Sequence, residues 1–240
     1  MKVLLACDFD HTIINDNSDT WVLQLSSDKV PADIRSRYDI HGSWTDYMDE
    51  IFKFLHSKGI TPEQIINHMQ KIPFVDGMKE LLLLQAQSQS VDCIILSDSN
   101  KIFINCILEA SGLLESIGAV YTNPAEFQEN GCLSVSHYHK HGCQLCPVNL
   151  CKTEVLQNYL KTCRENGKVY DVVVFVGDGG NDFCPCLNLS ERDAVFARKG
   201  YRLVRKIEKL TSNKKSNLKP EVKIWESGFE IKSHLESLLK

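Results

Sequence analysis

Short apolar runs alternate with amphipathic stretches along most of this chain, and this alternation predicts the fold. Each run is continuous rather than interrupted at every second position, which is typical of a strand that is buried on both faces. Helical patterns separate the runs, so they predict βαβ units and a parallel sheet in an α/β fold. The predicted strands cover residues 3–6, 92–96, 119–122, 172–176, 194–197 and 222–225.

A long segment between the first two strands has a helical pattern and lacks strong strand signals. One of its helices begins after the candidate N-cap Ser43 and ends at Gly59, because serine caps a helix start and glycine suits the turn after its last residue. We therefore predict a helical domain over residues 15–75, inserted into an α/β core domain that is formed by residues 1–14 and 76–240. The apolar face of this helix contains Trp44, Met48, Ile51, Phe52 and Leu55.

Composition and charge narrow the functional classes. Of the 240 residues, 43% are hydrophobic and 24% are charged, as in an ordinary globular protein. The formal net charge of -4 argues against broad nucleic-acid binding, and no apolar run approaches the length of a membrane span. Ten cysteines without a secretory leader pattern indicate a reducing compartment, so we expect a cytoplasmic protein without nucleic-acid or membrane partners. The polar stretch 212–217 is predicted to be a surface loop.

Acidic and polar side chains follow three of the predicted strands. Asp8 and Asp10, taken alone, are equally compatible with a solvated turn, but the carboxyl ends of parallel strands form the ligand site of such a sheet. Carboxylates held together repel one another unless a cation or a shared proton lies between them. Mg²⁺ prefers oxygen ligands of this kind, and bound Mg²⁺ in turn suits a phosphoryl group. The strand-end residues are Asp8, Asp10, Ser97, Asp98, Asp178 and Asp182.

Four motifs, in the same order, resemble those of the haloacid-dehalogenase superfamily of phosphatases. The resemblance spans about residues 3–182 by motif, and it implies a Rossmann-like core with a doubly wound parallel sheet. It also implies that the helical segment inserted after the first strand is a cap domain, which closes over a small substrate. The motifs are Asp8-x-Asp10-x-Thr12, Ser97 at a strand end, Lys152, and Gly177-Asp178-x-x-Asn181-Asp182.

Longer motifs are similar to one branch of this superfamily, the phosphoethanolamine/phosphocholine and pyridoxal 5′-phosphate phosphatases. These motifs lie at residues 16–21, 97–100, 146–152 and 177–182, and the length and ending resemble the pyridoxal-phosphate members. The resemblance implies Mg²⁺-dependent hydrolysis of a small phosphomonoester. One departure is His11, where that branch more often has asparagine.

The resemblance implies a role for each carboxylate. Asp8 attacks phosphorus and forms an aspartyl-phosphate, as a carboxylate nucleophile can. Asp10 protonates the leaving alkoxide and then takes a proton from the water that hydrolyses the intermediate. The implied ligands of Mg²⁺ are the carboxylates of Asp8 and Asp178, the backbone carbonyl of Asp10, and Asp182 through a water molecule.

Four other residues are candidates for substrate binding. Ser97 can donate a hydrogen bond to phosphate, and Lys152, at a predicted helix start, can supply positive charge. Asp19 and Asp98 are not needed to bind a phosphate dianion, so we interpret them as contacts for a substrate that also carries a cation. For Asp19 the alternative is that it merely caps the helix that begins near Thr20.

A segment rich in histidine and cysteine could supply soft ligands for zinc. A structural zinc site usually has two clean ligand pairs, so we favour a reduced loop beside the phosphate site over zinc binding. Cys184 and Cys186 are interpreted as core or first-turn residues. Two functional alternatives remain: a phosphatase for another small metabolite such as phosphoserine, and a non-catalytic zinc-binding or interaction protein. The candidate ligands are His137, His139, His141, Cys143, Cys146 and Cys151.

Overall fold

The computed structural model describes residues 1–212 and 218–240. The predicted surface loop 212–217 therefore lies, apart from its first residue, outside the described residues. In the part of the chain that is described, no helix combines the length and the apolar composition of a membrane span.

Six parallel strands form the central sheet, in the order β3-β2-β1-β6-β7-β8. The prediction of an α/β fold with a doubly wound parallel sheet is confirmed, because the chain first builds outward from β1 through β2 and β3, and then from β6 on the other side. Strand β2 is longer than predicted and continues through the polar residues at its end. The strands are β1 Val3–Cys7, β2 Val91–Asn100, β3 Ala119–Asn123, β6 Val172–Gly177, β7 Ala194–Arg198 and β8 Glu221–Trp225.

Helices cover both faces of this sheet. Side chains alternate along β1, with Leu5 and Cys7 on one face and Leu4 and Ala6 on the other, and all four are buried. Helices α5, α6 and α10 pack on the first face, and α7 and α9 on the second. The helices are α1 Ser18–Trp21, α2 Ala32–His41, α3 Trp44–Ser57, α4 Pro62–Met69, α5 Met78–Gln87, α6 Lys101–Ala110, α7 Lys152–Glu165, α8 Phe183–Cys186, α9 Arg202–Thr211 and α10 Gly228–Leu238.

The helical segment 15–75 contains α1 to α4, and local chemistry sets both ends of α3. Ser43 caps α3 by accepting the Asp46 N–H at 3.2 Å, and Gly59 follows that helix with φ 78°. At the point where the segment leaves and rejoins the core, Ile14 and Phe74 form an antiparallel bridge. The two ends of this helical segment therefore run side by side.

A two-stranded antiparallel hairpin, which the sequence pattern did not reveal, packs against α3. Its strands are β4 Ala125–Phe127 and β5 Leu133–Val135, too short to show a periodic pattern. Asp49 of α3 accepts hydrogen bonds from the Ser134 hydroxyl at 2.9 Å and from the Val135 N–H at 3.0 Å. The helical segment is thus not self-contained, because it packs against an element from the second half of the chain.

Candidate active site

Three buried carboxylates meet where the strand order reverses, between β1 and β6. Asp8 follows β1, while Asp178 and Asp182 follow β6, and one oxygen from each lies within 4.8 Å of the others. In open α/β sheets this crevice is where ligands bind. Asp10 is also buried, but its carboxylate is not part of this group of three.

Lys152, the first residue of α7, provides the positive charge in this group. Its side chain is fully buried, and Nζ lies 2.8 Å from Asp8 Oδ1 and 2.7 Å from Asp182 Oδ1. The other Asp182 oxygen accepts the N–H groups of Asp178 and Gly179, at 3.0 and 2.8 Å. Asp182 therefore fixes Lys152 and the turn after β6, and both of its oxygens are already engaged.

The turn after β6 leaves no space for a side chain at Gly177. A Cβ atom at this position would lie 2.5 Å from the Asp182 carboxyl carbon. Glycine is therefore required for Asp182 to fold back over the strand end. Thr12 Oγ1, from the loop after β1, donates a 3.4 Å hydrogen bond to Asp178 and links the two loops.

The charges in this group do not balance. Burial, and then the Asp182 carboxylate, raise the pKa of Asp8 well above its usual range, although Lys152 opposes this shift. The same two causes raise the pKa of Asp178 to about 7. Burial alone would lower the pKa of Lys152, but the carboxylates of Asp182 and Asp8 raise it. One ammonium therefore faces several carboxylates, which is the electrostatic condition for binding a further cation.

Asp10 is held beside this group by Ser18, a residue to which the sequence analysis assigned no role. The Ser18 N–H and hydroxyl donate to the two oxygens of Asp10, each at 3.0 Å, and the Ser18 hydroxyl also bonds Ser99 at 2.7 Å. Burial, and then the nearby Asp19, raise the pKa of Asp10 well above its usual range. A carboxyl group that keeps its proton near neutral pH can act as a general acid.

Asp19 lies in a narrow cavity beneath α3, together with Asp98. The Trp44 indole N–H donates to Asp19 at 2.7 Å, and burial raises the pKa of Asp19 to about 7. The N-cap of α1 is Asn17, whose side chain accepts the Thr20 N–H at 3.0 Å, so the interpretation of Asp19 as that cap is wrong. Trp44, assigned to the helical core from its spacing, also lines this cavity.

Two asparagines, to which the sequence analysis assigned no role, hold the end of β2 beside this cavity. Asn123 donates to the Asp98 carbonyl at 2.7 Å, and Asn149 donates to Asn123 at 3.1 Å. Ser97 is fully buried at the register shift of β2, where its hydroxyl accepts the Ser99 N–H at 3.2 Å. The cavity volume is ≈ 10 Å³, about the volume that one water molecule needs.

His11 occupies a left-handed backbone conformation, with φ 53°. Histidine, asparagine and aspartate adopt this region more readily than other side chains, which explains why asparagine also suits this position. Arg198 donates to the His11 carbonyl at 2.5 Å and to Asn15 at 2.6 Å. The loop that carries Asp10 is thus anchored to the end of β7.

The histidine- and cysteine-rich segment is organised differently from the predicted ligand set. His137 lies 3.0 Å from Ser43, His139 accepts the Cys151 N–H at 3.0 Å, and His141 bonds the Pro147 carbonyl at 2.7 Å. None of these three histidines joins the described metal-binding groups of side chains. The sulfur atoms that lie together are those of Cys143, Cys146, Cys151 and Cys184; Cys184 therefore has neighbours that the core interpretation did not predict.

Comparison with known proteins gives a consistent result over the whole chain. The profile of the family described as Putative Phosphatase matches residues 3–239. The chain is 43% identical to the pyridoxal phosphate phosphatase PHOSPHO2 of Mus musculus, over 100% of both sequences. It is 32% identical to the phosphoethanolamine/phosphocholine phosphatase of Homo sapiens, over 100% of this chain and 90% of that protein.

Solved structures show the same fold at much lower sequence identity. A substrate-bound phosphoserine phosphatase superimposes with a TM-score of 0.62 at 16% identity, covering 98% of both chains. This similarity concerns the fold.

Proposed function

Since this chain belongs to the Putative Phosphatase family, within the haloacid-dehalogenase superfamily, we propose that it hydrolyses a small phosphomonoester whose alcohol part is positively charged. The reaction proceeds through an aspartyl-phosphate on Asp8. The observation that carries this proposal is the buried Asp8 carboxylate, 2.8 Å from Lys152 at the point where the strand order reverses. The chain is a phosphatase by family, so the alternative of a non-catalytic protein is wrong.

The first half of the reaction transfers the phosphoryl group to the enzyme. An Asp8 oxygen forms a bond to phosphorus while the ester P–O bond breaks. Asp10, whose pKa is raised by burial, gives its proton to the departing alkoxide. Lys152 and the Ser97 hydroxyl hold the phosphate oxygens, and Lys152 is already fixed by its bond to Asp182.

The second half returns Asp8 to its starting state. Asp10, now ionised, takes a proton from a water molecule whose oxygen attacks phosphorus, and the Asp8 acyl-phosphate bond breaks. Ser18 keeps the Asp10 carboxylate in one orientation through both halves, because it bonds both of its oxygens. Closure of α3 excludes bulk water from the acyl-phosphate.

The three-carboxylate group suits Mg²⁺ as the cofactor. Its oxygen donors lie within 4.8 Å of one another, and burial, followed by the neighbouring Asp182 carboxylate, raises the pKa of both Asp8 and Asp178. Asp8, Asp178 and the Asp10 carbonyl would bind the ion directly, and Asp182, whose oxygens are engaged, through water. Bound Mg²⁺ would reduce the repulsion between Asp8 and the phosphate dianion.

The cavity favours a cationic alcohol. Asp19 and Asp98 supply negative charge, and the Trp44 ring supplies an aromatic face that attracts cations. Phosphoserine carries a carboxylate, and none of the described residues that line this cavity is lysine or arginine. We place pyridoxal 5′-phosphate first, on the 43% identity to the mouse enzyme, and phosphoethanolamine and phosphocholine next. We also propose a cytoplasmic location, which suits ten free cysteines.

Phosphate release from these substrates and from phosphoserine tests the proposal. Turnover with Mg²⁺ is expected to disappear with a chelator, and to fall in Asp8→Asn by a factor on the order of 10⁴ or more. Asp171→Asn is the matched control, since Asp171 is exposed and lies before β6, at the opposite end of the sheet. Folded, Mg²⁺-loaded protein that releases no phosphate from any of these esters would refute the proposal.

A further inference from the structure

Four cysteine sulfur atoms converge between the loop before α7 and helix α8. Cys143, Cys146 and Cys151 come from the loop, and Cys184 comes from α8. Their Sγ atoms all lie within 4.8 Å of one another. The pairs Cys143–Cys184 and Cys146–Cys151 are each 3.6 Å apart.

These distances match a single tetrahedral metal ion rather than disulfides. With Zn–S bonds of about 2.3 Å, the sulfur atoms of a tetrahedral site lie about 3.8 Å apart. A disulfide would bring two of the sulfur atoms to about 2.05 Å, and all ten cysteines of the chain are free. Four cysteines in contact, two of them buried, are the ligand set of a closed structural zinc site.

Hydrogen-bond donors reach two of the four sulfur atoms. The backbone N–H groups of Leu145 and Cys146 point to Cys143 Sγ, and the Thr153 hydroxyl donates to Cys184 Sγ at 3.0 Å. Such donors stabilise thiolates, the form that binds metal. His141 also fixes the backbone of this loop, because its Nδ1 atom accepts the Cys143 N–H at 3.2 Å.

We propose that Cys143, Cys146, Cys151 and Cys184 bind one structural zinc ion. Four thiolates leave no open coordination position, so the ion takes no part in hydrolysis. Cys151 directly precedes Lys152, and Cys184 lies two residues after Asp182. The zinc ion therefore joins the loop that presents Lys152 to the turn that presents Asp182, and the cysteines act as positioning residues for that ion pair.

The metal content of protein expressed with added zinc tests this assignment. Mass spectrometry of the metals is expected to give about one zinc ion per chain after dialysis against a weak chelator. Cys184→Ser should retain less than about a tenth of that amount, whereas Cys163→Ser should keep all of it. Cys163 is a matched control because it is a free cysteine of α7 outside the cluster.

Cobalt substitution provides a readout that does not depend on a variant folding. Co²⁺ bound by four thiolates gives intense sulfur-to-metal charge-transfer bands, which carboxylate ligands at the Mg²⁺ site cannot give. These bands are expected in wild type and Cys163→Ser. Wild-type protein without zinc and without these bands would overturn the assignment, as would full zinc content in Cys184→Ser or a Cys146–Cys151 disulfide in freshly purified, folded protein.

Discussion

Replacing Lys152 by methionine tests the electrostatic organisation of the site directly. Methionine keeps most of the volume of the buried side chain but removes the ammonium that bonds Asp8 and Asp182, at 2.8 and 2.7 Å. Both carboxylates then remain buried without their cation. Removing one partner of a buried ion pair typically lowers the free energy of unfolding by about 3–5 kcal/mol. For a chain of this size each kcal/mol shifts Tm by about 2–4 °C, so we expect Tm to fall by about 6–20 °C.

The loss should depend on pH with a definite sign. In Lys152→Met the native state takes up a proton near neutral pH that the unfolded state, with ordinary aspartate pKa values, does not bind. Stability of the variant relative to wild type therefore falls as pH rises, by at most about 1.4 kcal/mol per pH unit for one proton. We expect the difference in Tm to be larger at pH 7.5 than at pH 5.5.

Thermal unfolding, followed by circular dichroism with a chelator present, provides the measurement. Lys161→Met is the control: Lys161 lies on the same helix, its side chain is 74% exposed, and its ion pair with Glu165 spans 3.9 Å, so we expect a change below about 0.5 kcal/mol. In an Asp8→Asn background the effect of Lys152→Met should shrink by about 0.5–3 kcal/mol. A Tm of Lys152→Met within about 2 °C of wild type at pH 7.5 would refute the reasoning.

Substitutions at three further positions probe the cavity, the hairpin and the first loop. Asp19→Asn should raise KM for cationic substrates about tenfold or more but leave KM for 4-nitrophenyl phosphate unchanged. Because burial raises the pKa of Asp19 to about 7, wild-type stability should fall as pH rises from 4 to 7. In Asp19→Asn the free energy of unfolding, measured with urea, should change less over this pH range. Asp49→Ala should lower stability by about 1–3 kcal/mol and speed hydrogen exchange in the β4–β5 hairpin. His11→Asn should leave Tm unchanged, whereas His11→Val should lower stability by about 1–2 kcal/mol.

The four central strands of the sheet could be predicted from sequence because nearly all of their residues are buried. Val174 and Phe175 are both fully buried although they face opposite helix layers. A continuous apolar run therefore identifies the strand, whichever layer each side chain faces. The end of β2 was missed for the opposite reason: Ser97 and Asn100 are polar, and polar residues after an apolar run resemble a loop.

Contacts between distant parts of the chain could not be predicted in the same way. Cys184 lies in a short apolar turn, and only the packing of α8 against α7 brings it to the loop cysteines. Trp44 has the spacing of a core residue, and its bond to Asp19 follows from how α3 sits over α1. Local patterns specify elements, whereas these pairs depend on how the elements pack.

One irregular loop, residues 143–151, supports both halves of the site. At its end it delivers Lys152 to Asp8, and through Asn149 it holds Asn123, which in turn bonds the Asp98 carbonyl beside the substrate cavity. A loop without regular backbone bonds keeps such positions only if other interactions fix it. His139 and His141, which precede the loop, bond its backbone, and the four-cysteine cluster packs against it. In the proposed mechanism this loop therefore couples the residues that hold phosphate to those that contact the alcohol, although the proposed nucleophile, Asp8, directly follows strand β1.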